Sequence, residues 1–162
     1  MRIECIAANA SPLICLSKSA MADLLPALFS EIFVPEQVIE EIRAGCKNDP
    51  SAEILLQYRW IRRVGNIAIP PAISTWDLGG GESSVMAYTL ADPRCWAAID
   101  DRQARRCADS MGCRHIGTVG LILLAKKRGV IRSVREALDG LQKAGPWMSE
   151  PFMNEICSRA RE

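Results

Sequence analysis

Histidine is almost missing from this chain: His115 is the only one in 162 residues. A Ser-His-Asp or Cys-His arrangement therefore has one possible centre, and the nucleophile-elbow pattern G-x-S-x-G that would accompany it is absent. Zinc loses its commonest ligand for the same reason, and the seven cysteines, at 5, 15, 46, 95, 107, 113 and 157, form no C-x-x-C pair. Their odd number, with no signal-peptide pattern ahead of them, leads us to expect reduced thiols in a cytoplasmic protein. Most sit in apolar company, as Cys15 does between Ile14 and Leu16, where a free thiol behaves as a small hydrophobe. No apolar run is long enough to cross a bilayer. Charge of one sign is lacking too, for the formal net charge is +1. Any nucleic acid must then be met by a local patch or through a bound cation rather than by overall charge. Phosphate loops of the G-x-G-x-x-G or G-K-[ST] kind are also absent.

What remains, 49% apolar and 24% charged, suits one ordinary globular domain with a real core. The local basic groups are Arg59, Arg62 and Arg63, then Arg102, Arg105 and Arg106, then Lys126, Lys127 and Arg128, each read first as a solvated face.

The most informative stretch is Trp96-Ala97-Ala98-Ile99-Asp100-Asp101. Four apolar residues read as a short buried strand that runs into two carboxylates and then, at Arg102, a helix. In open α/β sheets ligands bind outside the carboxyl ends of the strands, so the pair sits where chemistry is usually found. The plainer reading is that Asp101 caps the helix.

The same grammar runs through the chain. Ile3 to Ala8 is a strand ending at Asn9, with Ser11 and Pro12 starting a helix. Apolar residues at helical spacing occupy Met21 to Phe29, and Ile32-Phe33-Val34 is a second strand. Pro35 opens a helix with Val38, Ile39 and Ile42 on one face, ended by Gly45. Of the neighbours Glu40 and Glu41, only one can lie near its apolar edge. Asp49-Pro50 caps another helix; Trp60–Val64 and Ile67–Ile69 are weak strands. Leu78-Gly79-Gly80-Gly81-Glu82 leads a helix in which Glu82 is favoured by the macrodipole whatever its role. Arg114-His115-Ile116 is a further strand, Thr118 caps the next helix, and Ser133 and Ser149 start two more. Alternating strands and helices imply α/β architecture, a small parallel sheet of about four to five strands covered on both faces.

Five blocks carry a resemblance: Asn9-Ala10-Ser11-Pro12-Leu13-Ile14; Val34-Pro35 with Val38-Ile39-Glu40-Glu41-Ile42; Leu78-Gly79-x-Gly81-Glu82; Asp100-Asp101 with Ala104-Arg105; and Gly117-Thr118-Val119-Gly120. In this order they resemble a PIN-domain protein of the VapC-like branch long catalogued as a domain of unknown function. The resemblance implies a three-layer α/β/α domain over 1–162, with helices from about 133 to 162 packed on it. It also implies a metal-dependent nuclease, of which the toxin members cleave RNA, are often homodimers and are restrained by a partner antitoxin. Carried over residue by residue, it makes Glu41, Glu82 and Asp101 catalytic and places Asn9, Glu41, Glu82, Asp100 and Asp101 around the metal. Arg105 and Thr118 lie within reach of a substrate phosphate. Asn9 departs from the Asp of most PIN nucleases, a change expected to be characteristic of this branch.

The chemistry can be argued without the name. Carboxylates from separate segments at one sheet edge repel unless a cation lies between them or one is protonated. An all-oxygen site without histidine suits Mg²⁺ or Mn²⁺ and hydrolysis of a phosphodiester. Two other readings compete. One is a PIN-like nucleic-acid or protein binding module in which Asn9 has weakened the metal. The other is a phospho-acceptor switch, which also needs paired Asp, Thr and Lys, but whose acidic pair should follow the first strand, where Ala8-Asn9 stands.

Overall fold

The computed structural model describes residues 3–45 and 47–162; Cys46, one of the seven cysteines, lies outside them. The chain runs β1 (Cys5–Ala8), α1 (Ala10–Lys18), α2 (Leu24–Leu28), β2 (Glu31–Pro35), α3 (Glu36–Gly45), α4 (Pro50–Leu56) and β3 (Ile61–Val64). It continues through α5 (Pro71–Ser74), α6 (Gly80–Ala91), β4 (Cys95–Ala98), α7 (Arg102–Ser110), β5 (His115–Ile116), α8 (Thr118–Lys127), α9 (Val134–Ala144) and α10 (Glu150–Arg159). The five strands form one parallel sheet in the order β3-β2-β1-β4-β5. This is the α/β architecture that the alternating pattern implies.

β1 is central, pairing Ala7 with Phe33 of β2 on one side and Ala97 of β4 on the other. The chain builds outward through β2 and β3, then returns to β1 and builds the other way through β4 and β5. Such a reversal opens a crevice beyond the carboxyl ends of the two strands that flank it. Here these are β1, which ends at Asn9, and β4, which ends at Ile99-Asp100-Asp101. The ladder runs on past both strands, with the Asn9 N–H donating to Ala98 O at 3.0 Å and the Ile99 N–H to Ile116 O at 3.0 Å. Backbone pairing thus holds the strand ends that carry polar side chains.

The sheet is buried throughout its middle: Ile6, Ala7, Ala8, Ala97, Ala98 and Ile99 are fully sealed from solvent. Alanines at the centre of β1 and β4 leave room for α6 to pack close against the strands. α6 buries Gly81, Ser83, Ser84, Val85, Met86, Ala87 and Thr89, and a helix apolar or small on most sides is one enclosed by structure. Its polar residues bond within the helix, Ser84 Oγ to Gly81 O at 2.7 Å and Thr89 Oγ1 to Val85 O at 3.1 Å. α9 packs against α1 and α8, and α10 against α9. The Glu162 carboxylate accepts from Lys126 Nζ at 2.6 Å and from the Val134 N–H at 2.9 Å, contacts that hold its carboxyl at about 2.

Several local signals appear as anticipated. Asp49, Asp101, Ser133 and Ser149 each accept a backbone N–H at the start of a helix. Others differ. Asn9, not Ser11, occupies the cap position of α1, because the strand passes into the helix with no intervening loop. Gly117 stands before α8, and Thr118 is the first helical residue. Ile67–Ile69 forms no strand; the segment after β3 is held by Gln37, whose Nε2 donates to Ile67 O at 2.9 Å. The expectation of seven reduced thiols fails at one pair, for the register sets Cys5 directly beside Cys95, Cα to Cα 4.5 Å, and the two are joined as a disulfide.

Candidate metal centre

Four segments deliver side chains to the crevice. Asn9 comes from the end of β1, Glu41 from the middle of α3, Glu82 from the first turn of α6, and Asp101 from the residue that caps α7. Val38, Ile39 and Ile42 anchor α3 in the core, which turns Glu41 toward α6. Its Oε1 accepts the Gly81 N–H at 2.7 Å. Glu82 folds back on its own helix start, Oε2 accepting the Gly79 N–H at 3.0 Å, while Oε1 lies 3.5 Å from Asn9 Nδ2. Asp101 Oδ2 accepts the Ala104 N–H at 2.8 Å, so the capping role read from the sequence is real and leaves the other oxygen to the site.

Glycine at position 81 is what allows the convergence. A methyl group there would lie 2.8 Å from Glu41 Cδ and 2.9 Å from Asn9 Oδ1, so only a bare Cα lets both side chains close over the start of α6. The three-glycine run ahead of Glu82 is the mark of it in the sequence. Its function is to admit carboxylates.

The electrostatics fit the geometry. Burial pushes the Glu82 carboxyl above its ordinary value; the Gly79 N–H opposes this, and the charges of Asp101 and Glu41 reinforce it. Asn9 is 4% exposed, and its Oδ1 has no hydrogen-bond partner among the described residues. A buried amide oxygen left without a donor is costly, and one turned toward a cluster of carboxylates lacks only a cation. An unpartnered neutral oxygen beside Glu41 and Glu82, with Asp101 close enough to raise the Glu82 carboxyl, is a hard all-oxygen donor set, which fits a divalent ion of the Mg²⁺ class.

The remaining residues singled out in the sequence fall into a second group beside the first. Asp100 accepts from Thr118 N, Thr118 Oγ1, Ser11 Oγ and Arg105 Nη2. Ser11 was not assigned to this group from the sequence, because a serine followed by proline reads first as a helix start. Among the described residues the one set of three ligating atoms within 4.8 Å of one another is Cys5, Asp92 and Cys95; the carboxylates of Glu41, Glu82 and Asp101, as a set, stand further apart than that. It sits at the opposite edge of the sheet, its sulfurs are bonded to each other, and Asp92 is clasped by Arg94 Nη2 at 2.7 Å.

The PIN-domain family DUF3368 matches residues 5–162, and the chain belongs to that family. Membership points to nuclease-type chemistry, which in PIN domains typically depends on divalent metals, and it agrees with the five-stranded parallel sheet and the acidic crevice. No curated protein and no solved structure matches the chain. No described helix is long and apolar enough to cross a membrane.

Proposed function

We propose that this protein is an Mg²⁺- or Mn²⁺-dependent endoribonuclease, the toxin component of a toxin and antitoxin pair. The observation that carries the hydrolytic reading is a buried Asn9 oxygen that no described protein group satisfies, next to Glu41 over Gly81, with Glu82 on the same amide and the charges of Asp101 and Glu41 raising the Glu82 carboxyl. RNA as substrate, a cognate antitoxin, a homodimer and a cytoplasmic setting follow from the VapC-like pattern of the sequence.

Asp101, Glu82, Glu41 and Asn9 would hold the cation. When bound, it would supply Lewis-acid activation of a water and charge neutralisation at the phosphodiester. The chain's own residues do the rest. The Gly81 and Gly79 N–H groups hold Glu41 and Glu82 by one oxygen each, which fixes the direction in which the other oxygen points. Asp101 and Glu82 would be the principal ligands, and Glu41 would orient a water or share in ligation. Asn9 contributes a neutral oxygen and, through Nδ2, steers Glu82 Oε1.

Incubation of purified protein with a single-stranded RNA tests this, with Mn²⁺ in one arm and EDTA in the other. Cleavage confined to the Mn²⁺ arm is expected, and no cleavage in either arm counts against it. A small antitoxin-like reading frame beside the gene, whose product suppresses cleavage, is expected for the toxin assignment. A second reading is favoured by one observation, the amide at position 9: a binding module that holds RNA or protein without cutting. RNA binding without turnover at saturating Mn²⁺ would select it.

A further inference from the structure

The two adjacent aspartates after β4 are used in different ways. A carboxylate offers about four lone-pair positions, two on each oxygen. At Asp100 the protein fills them all. Oδ1 accepts from the Thr118 N–H at 2.7 Å and from Arg105 Nη2 at 3.5 Å; Oδ2 accepts from Thr118 Oγ1 at 2.6 Å and Ser11 Oγ at 3.2 Å. At Asp101 a single donor, the Ala104 N–H, occupies one oxygen. A cation would find an open oxygen on Asp101 and would have to displace a built network to reach Asp100.

We infer that Asp100 is a positioning residue rather than a cation ligand, and that it holds Arg105 as the group that grips the RNA backbone. This deepens the nuclease reading and rests on it. Arg105 lies one helical turn beyond Asp101, its N–H donating to Asp101 O at 3.0 Å. The guanidinium is held at two points: Nε donates to Ile99 O at 3.1 Å, and Nη2 reaches Asp100. It lies across Gly117, where an added Cβ would run into Nη2 and stand 3.0 Å from Cζ, so glycine keeps the slot open. Two of the five guanidinium N–H groups are spent on orientation, and three remain on a side chain 40% exposed. A planar fork fixed on one side and open on the other matches the two free oxygens of a phosphodiester.

Thr118 changes role as a result. Its N–H and its hydroxyl proton both go to Asp100, and its residue is 5% exposed. It has no donor left for phosphate, so it anchors Asp100 while Arg105 makes the contact.

The test separates cation binding from RNA binding in Asp100→Asn, Asp101→Asn, Arg105→Ala and Gly117→Ala. Calorimetric titration with Mn²⁺ reads the first; fluorescence anisotropy of a labelled single-stranded RNA in EDTA reads the second. Asp100→Asn should keep its Mn²⁺ affinity within about threefold, whereas Asp101→Asn should lose tenfold or more. In EDTA, Asp100→Asn and Arg105→Ala should each weaken RNA binding about tenfold, and the double variant should bind no more weakly than Arg105→Ala alone, as expected of two groups acting as one unit. A purely structural Asp100 would lower the melting temperature while leaving RNA affinity intact in the folded protein, and that result overturns the inference. So does Mn²⁺ affinity lost in Asp100→Asn as fully as in Asp101→Asn. Should Asp100→Asn not fold, Gly117→Ala displaces Arg105 and crowds Asp100 Oδ1 at 3.0 Å while keeping the Asp100 charge in place; weakened RNA binding with intact Mn²⁺ affinity supports the inference, and parent-like RNA binding overturns it. A parent that binds no Mn²⁺ overturns the metal-nuclease reading alone, since the EDTA arm still judges Arg105. A parent that binds neither overturns both.

Discussion

At the amino-terminal edge of the sheet Glu31 and Asp92 meet arginines; in the crevice at the carboxyl edge Glu41, Glu82 and Asp101 meet backbone N–H groups. Glu31 pairs with Arg62 at 2.7 Å, and Asp92 with Arg94 at 2.7 Å, an arrangement that holds the Asp92 carboxyl below its ordinary value. Glu41, Glu82 and Asp101 are each steadied by one peptide N–H, and the Glu82 carboxyl is pushed up. The two edges share residue types and differ in what surrounds them. Acids whose charge is already answered hold the fold together; acids gathered with their charge unanswered keep a place for a cation. Asp100 shows that the contrast is one of partners and not of position, for it stands beside Asp101 and is satisfied from every side.

The contrast can be broken most forcefully at Glu82. Glu82→Gln should abolish Mn²⁺-dependent RNA cleavage, a loss of at least a hundredfold, and leave the melting temperature at pH 7 unchanged or higher, because burial and its neighbours oppose its charge. A fall of several degrees with activity retained would assign the residue to structure. Asn9→Asp sharpens the contrast by adding a fourth charge. A unit charge about 4 Å away at an effective dielectric near 20 is worth about 4 kcal/mol before desolvation, so even a discounted fraction should tighten Mn²⁺ about tenfold. The same variant should melt lower without metal, and equal calorimetric affinities for parent and variant would place residue 9 beyond the ion's reach.

Metal itself should stabilise the parent. At ten times Kd the linkage is about 1.4 kcal/mol, or roughly 3–6 °C for a chain of this size, and the shift should vanish when Glu41, Glu82 and Asp101 are all replaced by amides. The smallest effect belongs to the opposite edge. Asp92→Asn should leave cleavage and Mn²⁺ affinity unchanged and cost about 0.2–1 kcal/mol, as exposed ion pairs do. Its pH signature follows from a lowered folded pKa: the contribution is present above the ordinary value of 3.8 and is lost as pH falls through the folded one. Parent and variant melting curves should therefore converge only in acid.

Much of this was legible from residue order. Apolar runs of strand length, each followed by a cap or a polar turn, give the alternating architecture, and Asp49-Pro50, Ser133 and Ser149 mark helix starts by chemistry that acts within a few residues. The carboxylates at strand ends could be nominated for the same reason. The assignment of work between Asp100 and Asp101 could not, because neighbouring side chains diverge and only the packing of α1, α7 and α8 supplies the donors that fill one and spare the other. Cys5 and Cys95 were hidden likewise, being 90 residues apart and brought side by side by register alone. Ile67–Ile69 has strand-like composition, but the peptide groups of Ile67 are taken by the Gln37 side chain, a partner that a remote segment supplies. The need for glycine at 81 was hidden too, because its neighbours Asn9 and Glu41 are supplied by remote segments.

The central place of β1 also governs when the crevice can exist. β1 is made first and waits between two partners, one beginning at residue 31 and the other at residue 95. Parallel pairings joined by long crossovers form slowly, since a large loop must close before any contact repays it. Asn9 meets Glu82 across 73 residues, and Asp101 arrives only after β4 has docked against β1. A chain shortened before β4 has the first three site residues and no edge to hold them. Such fragments should be inert, so the topology delays the site: the crevice is assembled only when β4 has joined the sheet.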